Sequence, residues 1–368
     1  WVFNLSWTAG RHNVRTGMDA RRIQRNNYFI SAQPTGSFSF SPNFTSPSGV
    51  GGGGVGYASF LLGATDSINR GVVDGRTGRR NSEWGAYVQD DFKVTRNLSL
   101  SYGVRYEIYQ PWFEVADRMS ALDLETGRVI LAGAGNKFGR GLRKTDKNNF
   151  APRLGVAWNT GGKAKLVVRG GYGLSYVEEF GGNGTNPIQN PPGSTTQQLI
   201  YSTTLAPAVR FSQGIPLPQP VNVANPSGQY RQIAYGAVSA YAQTWDLSLQ
   251  REFGQGWLVD AAYVGAKGAY VDLVNLNINQ AVPGPGAVVS RRPYPNLSDA
   301  IGIAPWGNSS YNSFQTTLDR RIGIARFSGA WTWAHSIDNT SGESSNSPIQ
   351  NSRNIAAQRG NGAGGVGT

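Results

Sequence analysis

One hydropathy pattern recurs along most of the chain: apolar or aromatic residues occupy every second position, and polar residues stand between them. Residues 98–110, LSLSYGVRYEIYQ, show the pattern most clearly, because Leu, Tyr, Val and Ile alternate there with Ser, Gly, Arg and Glu. A period of two places the two kinds of side chain on opposite faces of a β-strand. The segment is therefore predicted to be a strand with one apolar face and one polar face.

Segments with this alternation are predicted to be the main strands of the fold. They are residues 1–8, 13–24, 83–94, 98–110, 150–159, 165–177, 241–252, 257–267, 311–321 and 326–337. Two shorter segments, GSFSFS at 36–41 and YASFLL at 57–62, are weaker strand predictions. Most of the main segments have about ten or more residues, whereas globular strands average about 5–6 and tilted membrane-spanning strands need about 9–11. The lengths favour strands that cross a membrane.

Short and long connections alternate along the chain. The short ones are AGRH at 9–12, residues 95–97, TGGKA at 160–164, FGQG at 253–256 and IGIA at 322–325, and the long ones are 25–82, 111–149, 178–240 and 268–310. A closed antiparallel barrel in an outer membrane has brief periplasmic turns and long extracellular loops. A soluble β-sandwich or propeller has no reason to place every long loop at one end. The predicted fold class is therefore all-β, a transmembrane antiparallel β-barrel.

Cross-strand register supports this prediction in three hairpins. The apolar pairs predicted are Phe92–Leu100, Val88–Val104, Ala86–Tyr106 and Trp84–Ile108, then Trp158–Leu166, Val156–Val168 and Leu154–Gly170, then Phe253–Trp257, Leu249–Ala261 and Leu247–Tyr263. Apolar residues thus meet apolar residues, as cross-strand pairing requires. In a barrel this face would meet lipid, and the aromatic residues next to the short turns would form an aromatic girdle.

The opposite face of the same hairpins is polar and would line the lumen of a barrel. Arg105 and Glu107 fall on this face in one hairpin, and Arg153 and Arg169 fall on it in the next. We expect these four residues to face the lumen. There they would contact a solute or an internal plug, or form a charge network within the wall itself.

Asp90 departs from the pattern, because the predicted register places it on the apolar face beside Tyr102. It lies near a short turn, where a charge on the lipid side of a barrel costs only about 0–1 kcal/mol. A local β-bulge would also redirect its side chain.

Composition narrows the classes of protein further. Charged residues make up 15% of the 368 residues, against about 25% in typical soluble domains. No apolar run approaches the ~18–20 residues that a membrane-spanning helix needs. The net charge of +12 comes from arginines spread over turns, strand ends and loops, so no nucleic-acid partner is predicted. The absence of cysteine excludes disulfides, thiolate metal sites and thiol catalysis.

No group of residues in the sequence predicts a catalytic, cofactor-binding or metal-binding site. The two histidines, His12 and His335, are far apart in the sequence and are expected to be structural. No nucleophile-elbow or phosphate-loop motif is present. The adjacent carboxylates Asp90–Asp91 and Glu178–Glu179 would point to opposite faces of a strand. The chain is therefore not predicted to be an enzyme, and no cofactor is expected.

An ordered series of segments resembles a known family. The segments are NSEWGAYVQDDFKVTRNLSLSYGVRYE (81–107), DKNNFAPRLGVAWN (146–159), LVVRGGYGLSY (166–176), SYNSFQTTLDRR (310–321) and GAWTWAHSIDN (329–339). FLLG (60–63) precedes them, and RPYPN (292–296) lies between the third and the fourth. In this order and spacing they are similar to the β-barrel of Oar-like TonB-dependent outer-membrane receptors. Each segment is a modest signal alone, and the series spans nearly the whole chain.

This resemblance implies a 22-stranded barrel with an internal plug domain, energised by TonB through an N-terminal box. We expect residues 1–368 to be a partial barrel domain of such a receptor, without the plug, the box and the C-terminal strands. The partners implied are outer-membrane lipid, TonB, the plug and an unknown bulky solute. Between its strands, ALDLETGRVILAG at 121–133 is expected to be a small hairpin that projects from the barrel with ETG at its tip.

Two other functions remain open from the sequence. A passive outer-membrane porin would have the same strands without a plug. A secreted soluble β-rich adhesin would place the apolar faces in a protein core. The solute of a receptor is not predicted, and siderophore, glycan, peptide and exported protein are all compatible with the sequence.

Overall fold

The computed structural model describes residues 1–28, 35–47, 53–73, 76–161, 166–177, 186–200, 207, 209–216, 222–223, 225–254, 256–339 and 351–361. The strands are β1 (Val2–Ala9), β2 (His12–Tyr28), β3 (Ser37–Ser39), β4 (Ser67–Val73), β5 (Arg76–Lys93), β6 (Leu98–Tyr109), β7 (Phe113–Glu114), β8 (Ser120–Leu122), β9 (Val129–Leu131), β10 (Asn149–Asn159), β11 (Leu166–Tyr176), β12 (Ser194–Ile200), β13 (Gly228–Ile233), β14 (Tyr241–Phe253), β15 (Trp257–Asn277), β16 (Leu297–Ile322), β17 (Ala325–Asp338) and β18 (Gly360–Asn361). One α-helix, α1 (Gly56–Leu61), and single 3₁₀ turns at Pro42–Thr45, Asn186–Gln189, Phe211–Gln213, Val289–Arg291 and Ile355–Gln358 complete the described elements.

A 13-stranded sheet dominates the fold. Its main path runs β1-β2-β5-β6-β10-β11-β14-β15-β16-β17-β18, and every neighbouring pair on this path is antiparallel. The short strand β7 pairs with β5, and β13 adds to β16 in parallel. Strands that follow one another along the chain are thus neighbours in the sheet, apart from those in the long connections.

The predicted main strands are all present, and several of them are longer than predicted. Strands β2, β5, β15 and β16 have 17, 18, 21 and 26 residues. The added residues lie on the side of the long connections. Alternation weakens in those parts, because the outer ends of long strands no longer separate an apolar environment from a polar one.

The predicted register is confirmed in two hairpins and wrong in one. Pairing of β5 with β6 and of β14 with β15 matches every predicted pair. In the hairpin of β10 and β11, Trp158 pairs with Val168 and Leu154 pairs with Tyr172, two residues away from the prediction. A slip of two residues keeps every side chain on its predicted face, so alternation cannot detect it.

One face of the main sheet is apolar and exposed. Its solvent-exposed side chains include Phe3, Leu5, Trp7, Met18, Trp84, Val104, Phe150, Leu154, Trp158, Leu247, Tyr263, Phe314, Phe327, Trp331 and Trp333. Trp333 keeps 68% of its surface exposed and Trp331 keeps 58%. Soluble monomers rarely leave a continuous apolar surface of this extent uncovered.

The segment 57–62 is a correction to the sequence analysis, because it belongs largely to the helix α1 and not to a strand. Tyr57, Phe60 and Leu61 are spaced i, i+3 and i+4, which is the spacing of a helix face. Phe60 packs edge-on against Phe40, with ring centroids 5.2 Å apart. Phe40 directly follows β3, which belongs to the small sheet of β12, β4 and β3.

The predicted hairpin at 121–133 is present as β8 and β9. Asp123 caps its turn by accepting hydrogen bonds from the backbone N–H of Glu125 at 3.1 Å and the hydroxyl of Thr126 at 3.0 Å. The hairpin does not project freely, because Ser120, Ala121 and Leu122 are all buried. The described buried clusters lie in the long connections and in the outer part of β16. Among the described helices there is no candidate for a membrane span.

Candidate functional site

The polar face of the main sheet holds an ion-pair network centred on Arg105. The Nε atom of Arg105 donates to Oε1 of Glu107 at 2.7 Å, and its Nη2 atom donates to Oδ1 of Asp19 at 2.7 Å. Arg21 extends the network with contacts of 3.9 Å to Asp19 and 4.0 Å to Glu83. The acceptors are mostly buried, so these charge-assisted hydrogen bonds are less screened than those of an exposed pair.

Gly85 creates the space that this network needs. In the sheet register it lies between Asp19 on β2 and Glu107 on β6. A Cβ atom at this position would overlap Nη2 of Arg105 and lie 2.8 Å from Oδ1 of Asp19. The guanidinium of Arg105 therefore crosses β5 at the one residue of this row that has no side chain.

Gly17 on β2 also leaves space for a polar contact across a strand. Tyr87 donates a hydrogen bond to Oδ1 of Asn4 at 2.9 Å across Gly17. A Cβ atom at Gly17 would lie 2.5 Å from Oδ1 of Asn4 and 2.7 Å from the ring of Tyr87. Polar side chains of β1, β2, β5 and β6 are thus linked into one wall.

The four candidate residues from the sequence separate into two groups. Arg105 and Glu107 contact each other and hold the network described above. Arg153 and Arg169 lie on the same polar face but are exposed. The Nη1 atom of Arg169 donates to Oε1 of Gln250 at 3.4 Å. Within the described part of the chain Arg153 makes no hydrogen bond or ion pair, and its two strand neighbours, Gly103 and Gly173, have no side chains.

Glu114 anchors the connection that follows β6, a role that the sequence did not predict. Its buried carboxylate accepts hydrogen bonds from the backbone N–H of Gly78 at 3.1 Å and of Ala116 at 2.7 Å, and from Nη2 of Arg118 at 2.6 Å. Burial alone would raise the pKa of Glu114, but the Arg118 side chain and the backbone donors outweigh it and lower the pKa to about 2. No local pattern marked this residue, since its donors come from two different segments.

Buried apolar residues join the long connections to one another. One cluster contains Met119, Ala121, Phe138, Leu142 and Ile188, and a second contains Leu122, Val129, Tyr230, Leu297 and Ala300. Members of one cluster come from segments far apart in the sequence, so the connections form a packed layer on the outer side of the strands. Burial raises the pKa of Tyr230 to about 12, and its hydroxyl has no hydrogen-bond partner among the described residues.

Two asparagine side chains complete this packed layer. Asn190 donates to the carbonyl oxygens of Ser120 at 2.7 Å and Arg231 at 2.6 Å, and accepts from the backbone N–H of Arg231 at 2.7 Å. Asn279 binds the segment of Tyr294 in the same way, accepting from its backbone N–H at 2.8 Å. Buried amide groups with satisfied donors and acceptors give irregular segments a defined geometry.

The apolar face has one polar cluster of its own. Asp90 pairs with Tyr102 in the predicted register, with no bulge. Its Oδ2 atom accepts the Tyr102 hydroxyl at 2.8 Å and lies 2.6 Å from Nδ1 of His12. His12 stacks on Phe92 with ring centroids 4.2 Å apart. One oxygen of the Asp90 carboxylate is therefore hydrogen-bonded by side chains of two neighbouring strands, and His12 has a structural role there.

No chemistry of catalysis is evident in these arrangements. No group of three or more His, Cys, Asp or Glu side chains within the described residues could hold a metal ion. The polar face combines the cross-linked wall around Arg105 with the exposed side chains of Arg153 and Arg169.

Comparisons with known proteins agree with this architecture. A sequence model of the outer membrane beta barrel domain family matches residues 1–365. The structure of the outer membrane transporter YddB from Escherichia coli superposes with a TM-score of 0.50 at 13% identity, covering 92% of this chain and 34% of that protein. No curated protein sequence matches.

Two further solved structures show weaker similarity. The siderophore receptor PirA from Acinetobacter baumannii has a TM-score of 0.44 at 11% identity, covering 92% of this chain and 39% of that protein. The FrpB iron transporter from Neisseria meningitidis has a TM-score of 0.41 at 11% identity, covering 91% of this chain and 34% of that protein. The chain thus spans about a third of the length of such proteins, and what it shares with YddB is the fold. The chain belongs to the outer membrane beta barrel domain family, and its fold resembles part of the barrel of the outer membrane transporter YddB.

Proposed function

We propose that residues 1–368 are a partial barrel domain of a TonB-dependent outer-membrane receptor of the Oar-like type, which takes up or binds a bulky solute. The observation that carries the proposal is the pairing of an antiparallel sheet, apolar on one face, with a packed layer of long connections on its outer side. A passive pore does not require long connections that are ordered by buried apolar clusters. In a receptor such connections recognise a solute before it enters the barrel.

The polar face supplies the lumen wall in this proposal. Arg105 forms ion pairs with both Glu107 and Asp19, and these pairs stabilise the wall. Arg153 and Arg169 are exposed and lack an acidic partner among the described residues, so they are the side chains that contact an anionic solute or an internal plug. TonB and a plug domain are the partners expected of the whole protein.

The test uses the full-length protein that contains this chain. Uptake of a panel of solutes is measured in cells with and without the gene, and with and without functional TonB. The proposal predicts uptake of at least one solute that requires both. Uptake that is independent of TonB, with large open-channel conductance in planar bilayers, would instead support a passive porin.

Arg153→Gln and Arg169→Gln test the role of the exposed arginines. Each variant should reduce uptake of an anionic solute while the protein keeps its heat-modifiable mobility, which reports the folded barrel. A matched control is Arg96→Gln, which removes an exposed arginine at a short turn. If the protein were recovered from the culture supernatant without detergent, the adhesin alternative would be supported and the proposal rejected.

A further inference from the structure

Two arginines lie on the apolar face of the sheet, beside the short turn between β14 and β15. Arg251 of β14 pairs with Val259, and Arg320 of β16 pairs with Trp257. The same face carries Leu249 and Leu318 in neighbouring positions. Side chains of one face alternate strictly along a strand, so both guanidinium groups leave the sheet on the side that meets lipid.

Each guanidinium packs against an aromatic ring. The Cζ atom of Arg251 lies 4.6 Å from the ring centroid of Phe253, and that of Arg320 lies 4.6 Å from the ring centroid of Trp257. An arginine stacked in this way has its flat face covered, and its terminal Nη groups can donate in the plane of the guanidinium. This geometry allows bidentate binding of an oxyanion at the edge of the guanidinium group.

No acidic side chain accompanies these arginines on their own face. The nearby acids Glu252, Asp260 and Asp319 alternate with the apolar-face residues and therefore lie on the opposite face. Asp319 already accepts from Arg326 at 2.9 Å. Within the described residues neither Arg251 nor Arg320 forms an ion pair, and the buried Nε of Arg320 has no hydrogen-bond partner.

The position along the strands explains how two charges can face lipid. Phe253, Trp257 and Phe327 surround the arginines at the short-turn end of the sheet. Aromatic residues at that level mark the boundary between hydrocarbon and headgroups. A charge on the lipid side is tolerated there and is costly at the bilayer centre. The leaflet at this end is the periplasmic one, because short turns of such barrels face the periplasm.

We propose that Arg251 and Arg320, with the rings of Phe253 and Trp257, bind the phosphodiester headgroup of an anionic glycerophospholipid in the periplasmic leaflet. The two guanidinium groups would donate to the phosphate oxygens. The rings and Phe327 would contact the glycerol and the first methylenes of the acyl chains. An anionic lipid is favoured over a zwitterionic one because two positive charges without an acidic partner are neutralised only by a ligand with net negative charge.

Native mass spectrometry of the intact parent protein, released from detergent with equimolar phosphatidylglycerol and phosphatidylcholine, tests the proposal. Phosphatidylglycerol should be retained about tenfold more than phosphatidylcholine. Arg251→Gln together with Arg320→Gln should lower retention of phosphatidylglycerol about tenfold and leave that of phosphatidylcholine unchanged. Heat-modifiable mobility shows whether the double variant is folded. If the variant does not fold, the ratio of phosphatidylglycerol to phosphatidylcholine retained by the wild type tests the proposal alone.

The matched control removes two positive charges at another short turn of the same sheet end. Lys93→Gln together with Arg96→Gln changes exposed cations that have no ring beneath them, so retention of phosphatidylglycerol should stay at the wild-type level. The proposal would be overturned if the wild type retained the two lipids equally. It would also be overturned if the arginine variant retained as much phosphatidylglycerol as the wild type, or if the control variant lost as much of it as the arginine variant. Displacement of phosphatidylglycerol by excess inorganic phosphate would also overturn it, because it would identify a free-anion site.

Discussion

The Nδ1 atom of His12 lies 2.6 Å from Oδ2 of Asp90. Both residues are on the apolar face of the main sheet, where most of the described side chains are apolar. Asp90 also accepts the hydroxyl of Tyr102 at 2.8 Å. Three strands, β2, β5 and β6, are joined by this one carboxylate. A polar group that looks misplaced in the sequence is therefore a cross-strand link near the end of the strands.

Removing the carboxylate alone should destabilise the barrel. Asp90→Ala leaves the hydroxyl of Tyr102 and the ring nitrogen of His12 without their acceptor, so the urea midpoint of the variant should fall below that of the wild type. The triple variant His12→Phe, Asp90→Val and Tyr102→Phe removes all partners together and should recover most of the loss. Urea unfolding of the intact protein in lipid vesicles measures both. Equal destabilisation by the single and triple variants would show that the cluster is not a coupled unit.

The faces of the strands could be predicted from the sequence, and much of the rest could not. Period-two alternation assigned Val104 and Arg105 to opposite faces because a lipid boundary enforces it at every position. The same alternation does not detect a two-residue slip, so the predicted partner of Trp158 is Leu166, whereas the structure pairs it with Val168. Register there depends on how many residues the turn contains.

The long connections are harder to predict because their order comes from contacts distant in sequence. Glu114 accepts from the backbone of Gly78, and Tyr230 packs with Leu122 and Leu297. Short buried segments in these connections have no periodicity to detect. The helix α1 had a recognisable spacing at Tyr57, Phe60 and Leu61, but its short length and aromatic content also fitted a strand.

Gly85 should tolerate no side chain. Gly85→Ala places a Cβ atom against Nη2 of Arg105 and 2.8 Å from Oδ1 of Asp19, so the ion pair must separate, at a cost of about 1–3 kcal/mol in the free energy of unfolding. Gly155→Ala is the matched control on the same polar face, because its nearest contact would be an ordinary 3.5 Å to Cβ of Ser101. Urea unfolding should show a loss for the first variant and almost none for the second. Equal midpoints would contradict the role assigned to Gly85.

The packed layer of connections should loosen in acid through Glu114. Its pKa is lowered to about 2 in the folded protein from an ordinary value of 4.5. The carboxylate therefore contributes stability that is fully present above about pH 4.5 and is lost as the pH falls toward 2, on the order of 3 kcal/mol in total. Cleavage of residues 110–148 by pepsin should rise steeply over this interval.

Glu114→Gln separates this effect from general acid denaturation. The variant should be cleaved readily at pH 4.5 and should show a much flatter pH dependence below it, because the amide cannot titrate. Glu125→Gln is the control, since the side chain of Glu125 is 84% exposed and contributes little. A wild-type pH profile in the Glu114 variant would rule out this carboxylate as the acid-sensitive group.

The assignment of the apolar face to lipid predicts a sharp contrast between neighbouring positions of one strand. Nitroxide labels introduced at Val104 and Leu247, in the intact protein reconstituted into vesicles, should be accessible to oxygen dissolved in the bilayer and shielded from an aqueous nickel chelate. A label at Ser248, which pairs with Arg169 on the polar face, should show the reverse. The contrast arises because successive residues of a strand point to opposite sides of the sheet. If the labels at Val104 and Leu247 collided with the nickel chelate as often as the label at Ser248, the apolar face would be in contact with water and could not be the lipid-facing wall of a barrel.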